Sequence, residues 1–175
     1  VTNSNANLYH INDIFVKPLT FRDCCSFMEL VADGPQDPLW FISHWWGTPF
    51  KDSIRMLTFH AKKRDLESDT CYWMCTFANN QHNLSELVDP DVTHTPFANA
   101  ILSEGCVGTV IFLDEKKAAP FTRIWCILED FVTLTLGMQK AKPQLCDVVT
   151  IVPPGECESS DGSLNERCAG ILLDM

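Results

Sequence analysis

The chain is short of positive charge and has no long apolar run. Thirteen Lys and Arg stand against 23 Asp and Glu, a net charge of -10, and the basic residues gather no further than Lys62-Lys63-Arg64 and Lys116-Lys117. Nucleic-acid backbones are held by concentrated positive charge, so no nucleic-acid partner is expected, whereas a small anion held by one or two groups stays open. No stretch of about 18 apolar residues occurs, so no membrane-spanning helix is expected, and the opening VTNSNANLYH lacks the basic start and apolar core of a signal peptide. Zinc-knuckle spacing, internal repeats and low-complexity segments are likewise missing. The nine cysteines are an odd number and several lie inside apolar runs, unlike a disulfide framework, which points to a reducing, cytoplasmic compartment.

What is present is a globular composition, 46% hydrophobic and 21% charged over 175 residues. That is one domain's length, enough to bury a core without metal or disulfide. PLWFISHWW (38–46) reads as a buried strand closed by Gly47, Thr48 and Pro49. Phe50, Ile54, Leu57 and Ala61 then recur at helical spacing. TCYWMCTFA (70–78) reads as a second strand, FANAILSEG (97–105) as a short helix and VGTVIFLD (107–114) as a third strand. APFTRIWCILEDFVTLTLG (119–137) is the strongest helix pattern, with Pro120 in its first turn and Gly137 as its stop. CDVVTIVPP (146–154) gives a fourth strand, and SLNERCAGILLDM (163–175) a last helix with Ser163 as cap and Glu166 at capping-box spacing. FRDCCSFMELVAD (21–33) reads as a helix within an N-terminal extension, residues 1–37, packed on the α/β domain of residues 38–175.

Strands alternating with helices, and mostly uncharged, predict a doubly wound α/β fold: a central parallel sheet of four to five strands with helices on both faces. Ligands in such folds sit beyond the carboxyl ends of the strands. Three constellations fall there. Glu129 lies mid-helix among Trp125, Cys126, Val132 and Thr133, with no cation at helical spacing to pair with it. It reads either as a helix-edge acid reaching water or as a carboxylate at a pocket edge. In SHWWG the adjacent Trp45 and Trp46 point to opposite sides of a strand, so they are either packing residues or stacking surfaces for a flat ring, with Gly47 admitting a ligand. His44 beside Ser43 is no hydrolase pair, because neighbouring strand residues face apart. In FANNQHN the amides of Asn79, Asn80 and Gln81 serve either a tight turn or a bound carboxamide or ribose. Cys71 and Cys75 share a strand face with no metal spacing, and Cys126 sits mid-helix, away from the dipole end that would activate it.

Taken in order, WFISHWWG, YWMCTFANNQ and TRIWCILEDF resemble the TIR-like superfamily over roughly residues 39–152. Phe41-Ile42-Ser43-His44 with Gly47 is similar to the Phe-Leu-Ser-Phe-x-Gly strand end of plant-type TIR domains, and Trp125, Cys126 and Glu129 fit their Trp-Cys-x-x-Glu helix. Trp73, Asn80 and Gln81 also match the middle strand of heterokaryon-incompatibility domains, with Cys75 where an Asp is expected. The resemblance implies a flavodoxin-like fold and, for Glu129, the role of catalytic residue in cleavage of the nicotinamide–ribose bond. NAD would then be a substrate, with no separate cofactor and no metal. Ser43, His44, Trp45, Trp46, Asn80, Gln81, Trp125 and Cys126 would frame it. The same resemblance leaves open a signalling scaffold without catalysis, acting by self-association or docking into a larger assembly. Nucleotide transfer with Glu129 as nucleophile is a third class.

Overall fold

The computed structural model describes residues 5–87, 89–114 and 118–152, together with the backbone of a short strand at Cys168–Gly170. Helix α1 (Leu8–Ile11) is capped by Asn7 and runs through a wide turn at Asn12–Val16 into α2 (Lys17–Thr20). Only the centre of 21–33 is helical, as α3 (Phe27–Val31), because Cys24 takes a left-handed conformation and Ser26 with Glu29 closes a capping box that starts the helix later than its apolar pattern. Strand β1 (Trp40–His44) is followed by α4 (Phe50–Lys63).

The expected strand over 70–78 is shorter. Only β2 (Tyr72–Trp73) pairs, and Cys75–Ala78 forms helix α5, so Cys71 and Cys75 do not share a strand face. Helix α6 (Pro96–Leu102) is capped by the Thr95 hydroxyl, which accepts from the Ala98 N–H, and β3 (Gly108–Leu113) follows. The long helical pattern after Pro120 is interrupted. A 3-10 turn at Ala119–Thr122 ends at Arg123, whose extended backbone restarts the chain as α7 (Ile124–Phe131). A wide π turn (Val132–Leu136) and a 3-10 turn (Gly137–Gln139) then carry it on. Strand β4 (Leu145–Val152) completes the parallel set, and β5 is Cys168–Gly170.

The sheet order is β2-β1-β3-β4-β5. β1 to β4 are parallel and β5 lies antiparallel on β4, which gives a flavodoxin-like α/β fold. The fifth strand falls inside the expected last helix: the open edge of β4 pairs residues Thr150–Val152 with Cys168–Gly170, and the rest of that helix lies outside the described residues.

Alternation along β1 sends Trp40 and Ile42 to one side, where they pack with Leu8, Met56, Phe112 and Val149 under α1 and α4. Phe41 faces the other way, into a cluster with Phe97, Ile101 and Val132 from α6 and the helical run after α7. Helices thus cover both faces. Beneath α4 the fully buried Asp147 accepts from Arg64 and bonds the buried His60, whose other ring nitrogen meets the Tyr72 hydroxyl at 2.7 Å. Burial works against the Asp147 carboxylate, but His60 and Arg64 outweigh it and hold its pKa below the ordinary value. Among the described residues no helix is long and apolar enough to cross a membrane.

Candidate functional site

In this strand order the crevice belongs at the carboxyl end of β1, where the chain crosses from one side of the sheet to the other. A cavity of about 340 Å³ opens there. β1 supplies His44, the turn after it Trp46, and α5 with its following loop Cys75, Asn79, Gln81 and Leu87. Tyr9 closes one side, Phe97 another, and Arg123, Trp125, Cys126 and Glu129 come from the start of α7.

Glu129 is buried, one turn and a half into α7. The Ser43 hydroxyl donates to its Oε2 at 2.6 Å, and Thr133 donates to its backbone carbonyl while touching the Thr109 hydroxyl at 2.7 Å. Among the described residues no cation forms a salt bridge with it. Burial pushes its pKa from 4.5 to about 8, the Ser43 hydrogen bond pulls the other way, and neighbouring Asp130 adds to the rise. Asp130 itself is pushed up to about 6 by burial. Burial without a counter-charge thus favours the protonated carboxyl at neutral pH.

The walls are aromatic. The Trp125 ring stacks on Phe97 at 5.7 Å, and Trp46 packs against Tyr9 at 5.4 Å with its indole N–H aimed at the Cys75 sulfur. Burial pushes the His44 pKa down to about 4, opposed by its hydrogen bond to the Ile42 carbonyl, so the ring is neutral at physiological pH. Since a carbonyl only accepts, His44 Nδ1 carries the proton.

Set against protein-family models, curated proteins and solved structures, the chain matches none. Function is therefore read from the cavity itself.

The cavity brings together most of the residues singled out in the sequence and excludes two. His44, Trp46, Gln81, Trp125, Cys126 and Glu129 line it, and Ser43 stands behind Glu129 as its hydrogen-bond donor. Trp45 lies elsewhere: both Trp45 and Trp46 follow the strand rather than belong to it, and the Trp45 ring lies so close to Gly47 that a Cβ there would meet it at 2.3 Å. Gly47 thus makes room for an indole, not for a ligand. Asn80 also faces away, donating to the Cys24 carbonyl and accepting from the His82 N–H, and lines a separate open groove of about 670 Å³ along the β2 edge. The Gln81 amide is spent on the carbonyls of Cys75, Thr76 and Asn79, so the turn reading holds for its nitrogen.

Cys126 is the third residue of α7 rather than mid-helix, yet burial and then the Glu129 charge push its thiol up to about 12, and it donates to the His44 carbonyl. It is packing, not a nucleophile. Cys75 is pushed up to about 12 for the same two reasons. Among the described residues no three potential ligands converge on a metal position: His60 is held by Tyr72 and Asp147, and His82 by Thr20. Tyr9, Phe97 and Arg123 were missed. Arg123 was detectable as the residue before the Trp-Cys-x-x-Glu segment, whereas Tyr9 and Phe97 reach the cavity only through tertiary packing.

Proposed function

We propose that the protein is a TIR-like NAD glycohydrolase in which Glu129 stabilises the ribosyl cation. The observation that carries this reading is the buried Glu129 carboxyl, without a salt-bridge partner among the described residues, at the carboxyl end of β1 inside an aromatic-walled cavity. The flavodoxin-like strand order and the order of the three sequence motifs support it.

The chemistry needs little more. When the C1′–N bond breaks, both electrons leave with nicotinamide, which departs neutral from a pyridinium, so no proton donor is required. Positive charge develops on the ribose, and an anionic oxygen in a desolvated site lowers that barrier. Water then bonds to C1′ and releases a proton, giving ADP-ribose; capture by an adenine nitrogen of the same molecule gives the cyclic product. Trp125 and Trp46 offer flat faces for the nicotinamide ring, and Ser43 orients the carboxyl. Neutral His44 adds no positive charge against the cationic ring. The cavity volume suits one ring and its sugar, leaving the second nucleotide toward the mouth, where Arg123 can meet a phosphate.

In the free protein Glu129 is largely protonated at neutral pH, and a cationic ring favours its ionised form. kcat/KM should therefore rise with pH and level above about 8. We place the protein in a reducing, cytoplasmic compartment on the strength of its odd number of cysteines, nine, several of them inside apolar runs. The test is NAD consumption by concentrated purified protein, resolved by chromatography beside Glu129→Gln. Nicotinamide release that disappears in the variant is the expected result. Turnover at the parental rate in Glu129→Gln, or none in the folded parent, overturns the proposal.

A further inference from the structure

The bend after α5 carries three consecutive amides, and the fold spends two of them. Asn80 donates to the Cys24 carbonyl and accepts from the His82 N–H, while the Gln81 nitrogen donates to the carbonyls of Cys75, Thr76 and Asn79. The Asn79 side chain makes no hydrogen bond among the described residues, through its nitrogen or through its oxygen. Yet Asn79 is only 6% exposed, and it lines both the Glu129 cavity and the groove along β2, so the surface it keeps opens into those hollows. A buried amide with both ends unspent is uncommon, because a polar group taken from water without a partner is a net cost.

The main chain around it is held firmly. The Asn79 N–H donates to the Cys75 carbonyl at 3.1 Å and its own carbonyl accepts from Gln81 at 3.2 Å, which pins the residue, in extended conformation, just past α5. An asparagine present for the turn would bond back to the main chain, as the Asn80 oxygen does. Asn79 is instead fixed by its backbone, with Gln81 as the positioning residue, and leaves its side chain to the cavity.

We propose that Asn79 reads a primary carboxamide on a flat ring bound in the Glu129 cavity, pairing with it head to tail. The Asn79 N–H donates to the carbonyl oxygen of the ligand, and the Asn79 oxygen accepts from its NH2. The ligand class is a pyridine-3-carboxamide, distinguished from the corresponding ketone and carboxylate. Complementarity selects it. Aromatic walls take the faces of a ring, so its substituent lies in the ring plane and meets the polar wall. Of the two amides in that wall, Gln81 has its nitrogen spent; Arg123 only donates, and the Nε2 of neutral His44 only accepts. A group that must both donate and accept in one plane finds its match at Asn79. A ketone leaves the Asn79 oxygen unpaired, and a carboxylate sets lone pairs against it in a cavity that already holds Glu129.

The choice of ring rests on the glycohydrolase reading, whereas the pairing with a carboxamide does not require bond cleavage. The experiment is titration calorimetry of the whole chain with nicotinamide, with 3-acetylpyridine, which keeps the acceptor and lacks the N–H, and with nicotinic acid. Asn79→Leu, which keeps the volume and removes both hydrogen bonds, is titrated beside the parent. The parent is expected to bind nicotinamide on the order of 10-fold or more tighter than either analogue. In Asn79→Leu that preference is expected to fall to within about threefold. Circular dichroism verifies folding, Asn79→Ala replaces a variant that fails, and the ligand series on the parent stands without either. A parent that binds no nicotinamide up to about 20 mM, or binds all three alike, overturns the proposal. So does a variant that keeps the parental preference, or one that weakens NAD with the preference intact, which would assign Asn79 to the ribose. NAD cleavage is scored separately. A preference lost in the variant, with no cleavage by the parent, upholds the carboxamide site and overturns the glycohydrolase. Cleavage dependent on Glu129, with no preference among the three ligands, does the reverse.

Discussion

Replacing Glu129 by Gln should make the protein more stable at alkaline pH. Gln keeps the shape of the side chain and an oxygen to accept from Ser43, and it removes the titration. An unfolded glutamate loses its proton near 4.5, whereas folded Glu129 holds it to about 8. Between those values the native state carries one proton that the unfolded state has released, so stability falls as pH rises, by about 1.4 kcal/mol for each pH step. The contribution is fully present below 4.5 and fully lost above about 8. Over the whole window it amounts to on the order of 5 kcal/mol, a large part of a domain's stability. Urea unfolding of parent and variant at about pH 5 and about pH 9 reads the difference directly. Near pH 5 the two midpoints should lie within about 1 kcal/mol, and near pH 9 the Gln variant should be ahead by several kcal/mol. Asp130 and Asp147 also titrate, but they are present in both proteins and cancel to first order. Parallel stability curves across this range would refute the reasoning. They would mean that Glu129 is already ionised in the native protein at neutral pH, solvated well enough that its burial has no electrostatic cost.

Ser43→Ala removes the hydroxyl that favours the ionised carboxyl, so the Glu129 pKa should move further up and stability fall by about 1–3 kcal/mol; carbon-13 titration of the glutamate carboxyls would show an unchanged pKa if the bond is unimportant. Asp147→Ala leaves Arg64 and the buried His60 facing a void, and should cost about 3–5 kcal/mol in urea unfolding, far beyond a surface substitution. Because the Asp147 pKa is held low, its contribution is present above the ordinary carboxylate range and is lost as pH falls through the depressed value, so parent and Asp147→Ala should converge in stability on acidification. Gly108→Ala sets a Cβ 2.6 Å from the Leu145 carbonyl oxygen and 2.7 Å from the Trp40 ring, which forces β3 and β4 apart; a loss under about 1 kcal/mol would show that the sheet yields more easily than its packing suggests.

Three strands were legible because they are short, apolar apart from Asp147 in β4 and a few uncharged polar residues, and buried on both faces, and β1, β3 and β4 lie within a residue or two of the apolar runs that announce them. The middle strand was misjudged in length. Tyr72 and Trp73 have β propensity, but edge position leaves only two residues to pair, and the chain from Cys75 turns into helix. The break at Arg123 was hidden for a related reason: apolar periodicity runs across it, while the 3-10 turn around Pro120 ends there. For the site, residue types at strand ends pointed to the crevice, but local pattern could not decide whether Glu129 was wet or dry. Its burial is fixed by Ser43, 86 residues away, and by a cavity closed by Tyr9, neither of which helical spacing encodes.

After Phe131 the helical run widens into a π turn at Val132–Leu136 and keeps one side buried. Glu129, Val132 and Thr133 stand at the i, i+3, i+4 spacing that puts all three on one helix face, and all three are buried. Thr133 then bridges the Glu129 carbonyl and the Thr109 hydroxyl of β3, anchoring the turn of helix that holds the carboxylate. Ile124, Phe131, Leu134 and Met138 lie on the outward side at ordinary helical spacing. The π turn runs through this tethered stretch. Propensity alone gives no reason for it, since the β-branched Thr133 and Thr135 disfavour helix without specifying a π turn. Its position beside Glu129 ties the geometry of the acid to β3, through Thr133 and Thr109.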